Sequence, residues 1–278
     1  MLKQRIITAL VLLGVFLPAL FAPVALPFAV LTVLLIAAAG WEWVRLNGGS
    51  ALPAIACALL LGAACVLALG AGWAANAPPS AWWLAMGAWV LGGAWSLKVG
   101  PAGWGRLPRG LRWALGLVGL WLAWLAMADA RTIGVNFILS VFSLVWVSDI
   151  AAYFGGRAFG RRKLALAISP GKSWEGVWSA MLGVLLLAML WMAADRTWAL
   201  DSPSLFTHLY LQHGLAGLVL VCVFLVAMGV VGDLVESLVK RSAGAKDSSG
   251  LLPGHGGVLD RVDALLPVFP LALAFSSL

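Results

Sequence analysis

The sequence predicts an all-α, polytopic integral membrane protein with about nine transmembrane helices and a cytoplasmic N-terminus. Three observations lead there. The chain of 278 residues is 63% hydrophobic, with a mean hydropathy of +1.00, whereas soluble domains are roughly half apolar. Apolar runs recur at about the 20 residues needed to cross some 30 Å of hydrocarbon. With the N-terminus placed inside, the 18 Lys and Arg residues divide sixteen to two, only Arg131 and Arg196 falling outside. Such a bias sets orientation, and it supports an odd number of crossings. The net charge of +7 is therefore a topology signal and a field on the inner face. Its dispersal among loops gives no nucleic-acid surface.

In chain order, the segments fall near 6–21, 24–39, 52–73, 81–97, 111–128, 133–154, 174–194, 214–238 and 262–278. The first two are short and joined through Pro18, Pro23 and Pro27, which leaves a re-entrant hairpin open. Lys3 and Arg5 precede the first run as in a signal peptide. No small-x-small site follows and the next run starts at once, so the reading is an uncleaved first helix. Residues 1–128 form a scaffold whose membrane segments are nearly free of ionisable groups. Gly92, Gly93, Gly116 and Gly119 suit close helix packing there, and the basic loop 98–112 suits anionic headgroups. Cys57, Cys65 and Cys222 lie in apolar runs without metal or redox spacing. Many of the 16 tryptophans, among them Trp41, Trp43, Trp104 and Trp113, fall near segment ends, where interfacial belts and packing place them. The loop 195–213 reads as a plain exposed connection, and His208 and His213 receive no role.

Residues 129–278 carry the chemistry. The sixth segment holds Asn136, Ser140 and Ser143 on one helical face, then Ser148, with Asp149 and Tyr153 sharing another face. An acid in a spanning helix usually faces the bundle interior or water; the alternative is an ion pair with Arg157. On the eighth segment, Asp233, Glu236, Ser237 and Lys240 recur at i, i+3, i+4 and i+7, hence on one stripe. Seven charged residues and a histidine fall within positions 237–263, in a chain only 10% charged. Gly250, Pro253, Gly254, Gly256 and Gly257 break regular structure and suit a loop that offers amides to phosphate. Asp260 and Asp263 then open the last helix, as caps or as ligands. Hard oxygens on two helices suit Mg²⁺ completed by substrate phosphates.

The run Ser237-Leu-Val-Lys240-Arg241, Lys246-Asp247, then Pro253-Gly-His255-Gly256-Gly257-Val-Leu-Asp260-Arg261-Val-Asp263 resembles the signature of the phosphatidate cytidylyltransferases, the CDP-diacylglycerol synthases. It meets that signature at every fixed position. Residues 148–176 resemble a second block of the family, with Ile150-Ala151 where Thr-Gly is usual and Ser173 in place of Thr. The resemblance implies transfer of the cytidylyl group of CTP to phosphatidate, giving CDP-diacylglycerol and pyrophosphate. It implies catalytic roles for Asp233, Lys240, Arg241, Lys246, Asp247, His255, Asp260, Arg261 and Asp263. Substrate contacts are implied for Ser148, Asp149, Tyr153, Gly156, Arg157, Ser169, Pro170, Lys172, Ser173, Glu175, Glu236, Ser237, Gly256 and Gly257. Asp233 and Asp260 are expected on one Mg²⁺, with a second cation left open, and His255 either donates to the leaving pyrophosphate or fixes the loop. The expected setting is a bacterial inner membrane, multi-pass, with the site facing the cytoplasm and a homodimer as the assembly.

Two other readings fail on spacing, and a third sits poorly with the distribution of polar residues. Gly171-Lys172-Ser173 ends like a P-loop, but position 166 is Leu where that motif needs Gly. The Asp-Gly-x2-Ala-Arg-x8-Gly-x3-Asp-x3-Asp pattern of CDP-alcohol phosphotransferases is absent. An anion transporter would often show broken helices in both halves, whereas polarity here is confined to one.

Overall fold

Eleven helices and one hairpin make up the described part of the computed structural model, residues 2–277; the side chains of Leu2, Lys3 and Arg5 are outside it. Two charges used above, Lys3 and Arg5, and the final residue of the ninth segment, Leu278, therefore lie outside the described residues. The helices are α1 (Leu2–Phe21), α2 (Leu26–Leu46), α3 (Ala51–Gly70), α4 (Trp73–Asn76), α5 (Pro79–Arg106) and α6 (Arg109–Ile133). Then come α7 (Val135–Phe159), β1 (Lys163–Ala165), β2 (Ser169–Ser173), α8 (Trp174–Thr197), α9 (Leu205–Ser242), α10 (Leu259–Val262) and α11 (Leu265–Ser276). Among them α2, α3, α6, α7, α8 and α9 are long and apolar enough to cross a membrane. The chain is an α-helical, multi-pass membrane protein.

The structure departs from the sequence reading in five places; the first is the stretch read as a loop over 98–112, where α5 continues past a kink at Gly100 to Arg106 and α6 begins at Arg109. β1 and β2 pair antiparallel, Lys163 opposite Ser173 and Ala165 opposite Ser169, so the fold is not purely helical. The 163–173 stretch is short and interrupted by Pro170 and Gly171, and strand pairing satisfies its backbone instead. The second segment runs seven residues past 39, to Leu46, because Trp41, Glu42 and Trp43 continue the helix. The ninth segment opens with the single turn α10, and α11 spans only 12 residues, about 18 Å of rise. Leu265 through Ala274 are all buried, so α11 is a central core helix; Phe269 lies edge-on to Phe142 at 5.0 Å.

The 195–213 loop is likewise no plain connection. Asp195 accepts from Asn136 Nδ2 (2.9 Å), Ser204 N (2.9 Å), Ser204 Oγ (2.6 Å) and Thr207 Oγ1 (2.5 Å). Ser204 caps α9, which then breaks at Gly214 (φ 68°, ψ −173°). Buried polar groups find partners where lipid offers none. This network knots the ends of α7, α8 and α9 together and explains Asn136 and Ser140 without a substrate.

Candidate active site

The carboxylates meet where α9 crosses the start of α11. Gly232 permits the crossing: a Cβ there would stand 2.5 Å from the Asp263 carbonyl oxygen and 2.8 Å from Pro267 Cδ. The close approach sets Asp233 beside Asp263, with Glu236 one turn further along α9. Asp233, Glu236 and Asp263 each offer an oxygen within 4.8 Å of the others. Lys172 reaches across from β2 to Asp233 Oδ2 at 2.5 Å, and Ser237 Oγ donates to Asp233 Oδ1 at 3.2 Å. Glu236 is 1% exposed at its side chain; its Oε2 meets Lys240 Nζ at 2.5 Å as an ion pair, and Oε1 has no partner among the described residues. On α7, Asp149 stands within electrostatic reach of Asp233 and Lys172. Carboxylates this close repel one another unless protonated or bridged by cations. A buried oxygen left without a donor, in a group of hard oxygens, fits a divalent cation.

Asp260 is built into a different arrangement. It accepts from Lys240 Nζ (2.6 Å), Ser248 N (2.8 Å), Ser248 Oγ (2.8 Å) and Gly257 N (2.7 Å). Burial alone would raise its pKa; the Lys240 ammonium and the Ser248 and Gly257 donors outweigh that and hold it at about 2. With both oxygens engaged, Asp260 stands outside the Asp233–Glu236–Asp263 group rather than beside Asp233 as expected. Lys240, wedged between Glu236 and Asp260, links the two arrangements.

The glycine loop differs from the expected phosphate nest in the same way. Gly257 N is taken by Asp260, and the amides of Val258 and Leu259 donate to Glu42 at 2.9 and 2.6 Å. Carboxylates of the protein itself occupy part of the cradle. Gly256 has φ +84°, and a Cβ there would lie 2.6 Å from Asp260 Oδ2. At Gly257 a Cβ would collide with Ser248 Oγ and the Glu42 carboxylate. Glu42 escaped the sequence reading because α2 was ended at 39 and no motif points to it. The available signal was an acid next to an apolar run, which is costly unless satisfied.

The second block of residues frames the site. Ser173 caps α8 by accepting from Gly176 N at 3.3 Å. Glu175 accepts from the amides of Arg161 (3.0 Å) and Arg162 (3.1 Å), closing the approach to the hairpin that carries Ser169, Pro170 and Lys172. A Cβ on Gly155 would strike Ser179, and one on Gly156 would come 3.2 Å from Ser173 Oγ, so these glycines let α7 and α8 touch. Arg157 donates to Tyr153 Oη at 3.3 Å, and Ser148 is buried nearby on α7. Arg241 donates to the carbonyls of Ile168 (3.3 Å) and Ala245 (3.0 Å), tying hairpin to α9. Arg261 donates to the His255 carbonyl at 3.0 Å, while His255 Nδ1 is buried without a partner among the described residues. Lys246 and Asp247 are exposed. A cavity of about 330 Å³ lies alongside, lined by Trp43, Trp89, Gly93, Gly116, Val235 and Glu236 among others.

Fold and site together define a class: a multi-pass membrane protein that gathers acids, flanked by lysines, where its longest helix meets a buried central one. The chain belongs to the cytidylyltransferase family, whose model matches residues 3–278. It is 40% identical over 279 residues to a phosphatidate cytidylyltransferase of Pseudomonas aeruginosa, covering 99% of this chain and 96% of that protein. A phosphatidate cytidylyltransferase of Haemophilus influenzae is 45% identical over 137 residues, 49% of this chain and 44% of that one. One from Brucella suis is 42% identical over 149 residues, 52% and 48% of the two chains.

Proposed function

We propose that this chain transfers the cytidylyl group of CTP to phosphatidate, forming CDP-diacylglycerol and releasing pyrophosphate. The observation that carries the reading is the Asp233–Glu236–Asp263 group with Lys172 against it, in a chain related over nearly its whole length to a phosphatidate cytidylyltransferase. A phosphatidate oxygen attacks the α-phosphorus of CTP, and the bond from that phosphorus to the bridging oxygen breaks. Pyrophosphate leaves with the electron pair. The attacking oxygen is already anionic, so no general base is required. What the protein must supply is alignment and cancellation of repulsion between two anions.

Mg²⁺ fits the three carboxylates and, when bound, neutralises phosphate oxygens and the charge developing on the leaving group. Lys172 and Ser237 hold Asp233 in place. Arg157, Arg161, Arg162, Lys163, Arg241, Lys246 and Arg261 are exposed around the site and supply the positive field that draws in the nucleotide. The apolar cavity running up to Glu236 gives an acyl chain a seat beside the reacting phosphate.

The charge split supports a cytoplasmic N-terminus in a bacterial inner membrane, the site facing the cytosolic pool of CTP. Nine passes follow if α1, the first part of α5 and α11 cross as well, α11 meeting protein rather than lipid at its ends. A homodimer formed through the N-terminal helices completes the reading. The direct test is pyrophosphate release by purified protein in detergent with Mg²⁺ and phosphatidate, comparing CTP, ATP, GTP and UTP. Release that needs both CTP and phosphatidate is expected; no product above a boiled control overturns the assignment.

A further inference from the structure

Glu42 belongs to none of the signature blocks, yet its carboxylate is bonded to the signature loop on both oxygens. It is fully buried on α2. It accepts from Ser249 Oγ (2.5 Å), Leu259 N (2.6 Å) and Val258 N (2.9 Å), and the Ser248 hydroxyl, whose single proton lies nearer Asp260, stands 3.2 Å away. No ammonium or guanidinium pairs with it among the described residues. Burying a carboxylate is costly unless several donors meet it, and the Ser249 hydroxyl and the Val258 and Leu259 amides do so with charge-assisted bonds. These groups all lie within residues 248–259, more than 200 positions away in sequence.

The end of α2 that presents Glu42 is itself braced. Trp43 Nε1 donates to Arg112 O (2.8 Å), Trp104 Nε1 to Asn47 Oδ1 (2.9 Å) and Trp113 Nε1 to Asn47 O (3.2 Å). On the loop side, Ser248 is shared: its hydroxyl meets Glu42 and its amide meets Asp260, which holds Lys240, which meets Glu236. One chain of contacts thus runs from the N-terminal helices to the reactive carboxylates.

We infer that Glu42 is a positioning residue: an internal anion that holds the loop 248–259 in the register in which Asp260 and Lys240 fix Glu236. It touches no reacting atom. Its removal slows the chemical step by loosening Lys240 and Glu236, and leaves the seats of CTP and phosphatidate formed. Val258 N meets Oε1 and Leu259 N meets Oε2, so Glu42→Gln keeps the length but turns an NH₂ toward one of the two backbone donors; Glu42→Asp keeps the charge one methylene short.

The inference rests on the proposed reaction, and hydrogen exchange supplies a readout free of it. In wild-type protein the Val258 and Leu259 amides are expected to exchange slowly, and in Glu42→Gln at least about tenfold faster, with the melting temperature of the remainder little changed. In the assay, Glu42→Gln is expected to lower kcat by about tenfold or more with both KM values within about twofold. Glu42→Asp is expected to recover part of the rate. Should Glu42→Gln fail to fold, Ser249→Ala removes one donor at the loop edge and is expected to cost a few-fold in kcat at unchanged melting temperature. Unchanged exchange at 258–259 in Glu42→Gln, or wild-type kcat in either Glu42→Gln or Ser249→Ala, overturns the inference. An activity loss that only tracks the folded fraction overturns it as well. A wild-type protein with no turnover but with Glu42-dependent exchange would sink the reaction and leave the loop lock standing.

Discussion

Asp260 and Asp263 stand three residues apart and serve different ends. Asp263 joins Asp233 and Glu236, whereas Asp260 is consumed by Lys240, Ser248 and Gly257. Spacing alone allowed either aspartate to be the partner of Asp233. The choice was made by the loop's own amides, which no residue pattern reveals. The acid range separates the roles by a stability measurement. Because the folded-state pKa of Asp260 is depressed to about 2 from its ordinary 3.8, its contribution is complete above 3.8 and is lost only as pH falls toward 2. Asp260→Asn should therefore lower the melting temperature by a constant amount from pH 7 down to about pH 4. A gap that closes between pH 7 and pH 5 would mean that this carboxylate is not held ionised by its donors.

At the level of elements, glycines decide where helices and loops meet. Gly232 admits Asp263, Gly155 and Gly156 admit α8, and Gly257 admits Glu42. Within one loop, Gly257→Ala is expected to cut turnover by about tenfold or more, since its Cβ must displace Ser248 or Glu42. Gly250, which has open space around it, should accept Ala with a change within about twofold. Equal effects of the two substitutions, measured as CTP-dependent pyrophosphate release, would show that loop packing does not matter. Much at this scale was legible: the stripe Asp233–Glu236–Ser237–Lys240 follows from its period, and the second block from the family resemblance. Glu42, the β1–β2 hairpin and the Asp195 network were not, because each depends on contacts between residues far apart in sequence. The tryptophans divide similarly: Trp43 and Trp104 sit buried as hydrogen-bonding braces of α2, whereas the sequence could place them only near segment ends.

For the whole molecule, hydropathy revealed a multi-pass bundle but not that its last apolar run forms an enclosed core helix. Burial by protein and burial by lipid leave the same apolar signal. The proposed orientation is checked by cysteine labelling of sealed cells, in a variant whose Cys57, Cys65 and Cys222 are replaced by Ala. A cysteine at exposed Gly250 is expected to resist an impermeant reagent, and one at exposed Leu200 to react. The reverse pattern would invert the topology.

The central claim is that chemistry occurs at the Asp233–Glu236–Asp263 group, and a Mg²⁺ titration of phosphatidate-dependent pyrophosphate release from CTP tests it most directly. Asp233→Asn and Asp263→Asn are expected to need at least about tenfold more Mg²⁺ for half-maximal rate, since an amide is a poorer ligand than a carboxylate. Asp260→Asn is expected to lose rate while keeping the wild-type Mg²⁺ midpoint. A wild-type rate and midpoint in Asp263→Asn, or recovery of Asp260→Asn alone at high Mg²⁺, would contradict the account.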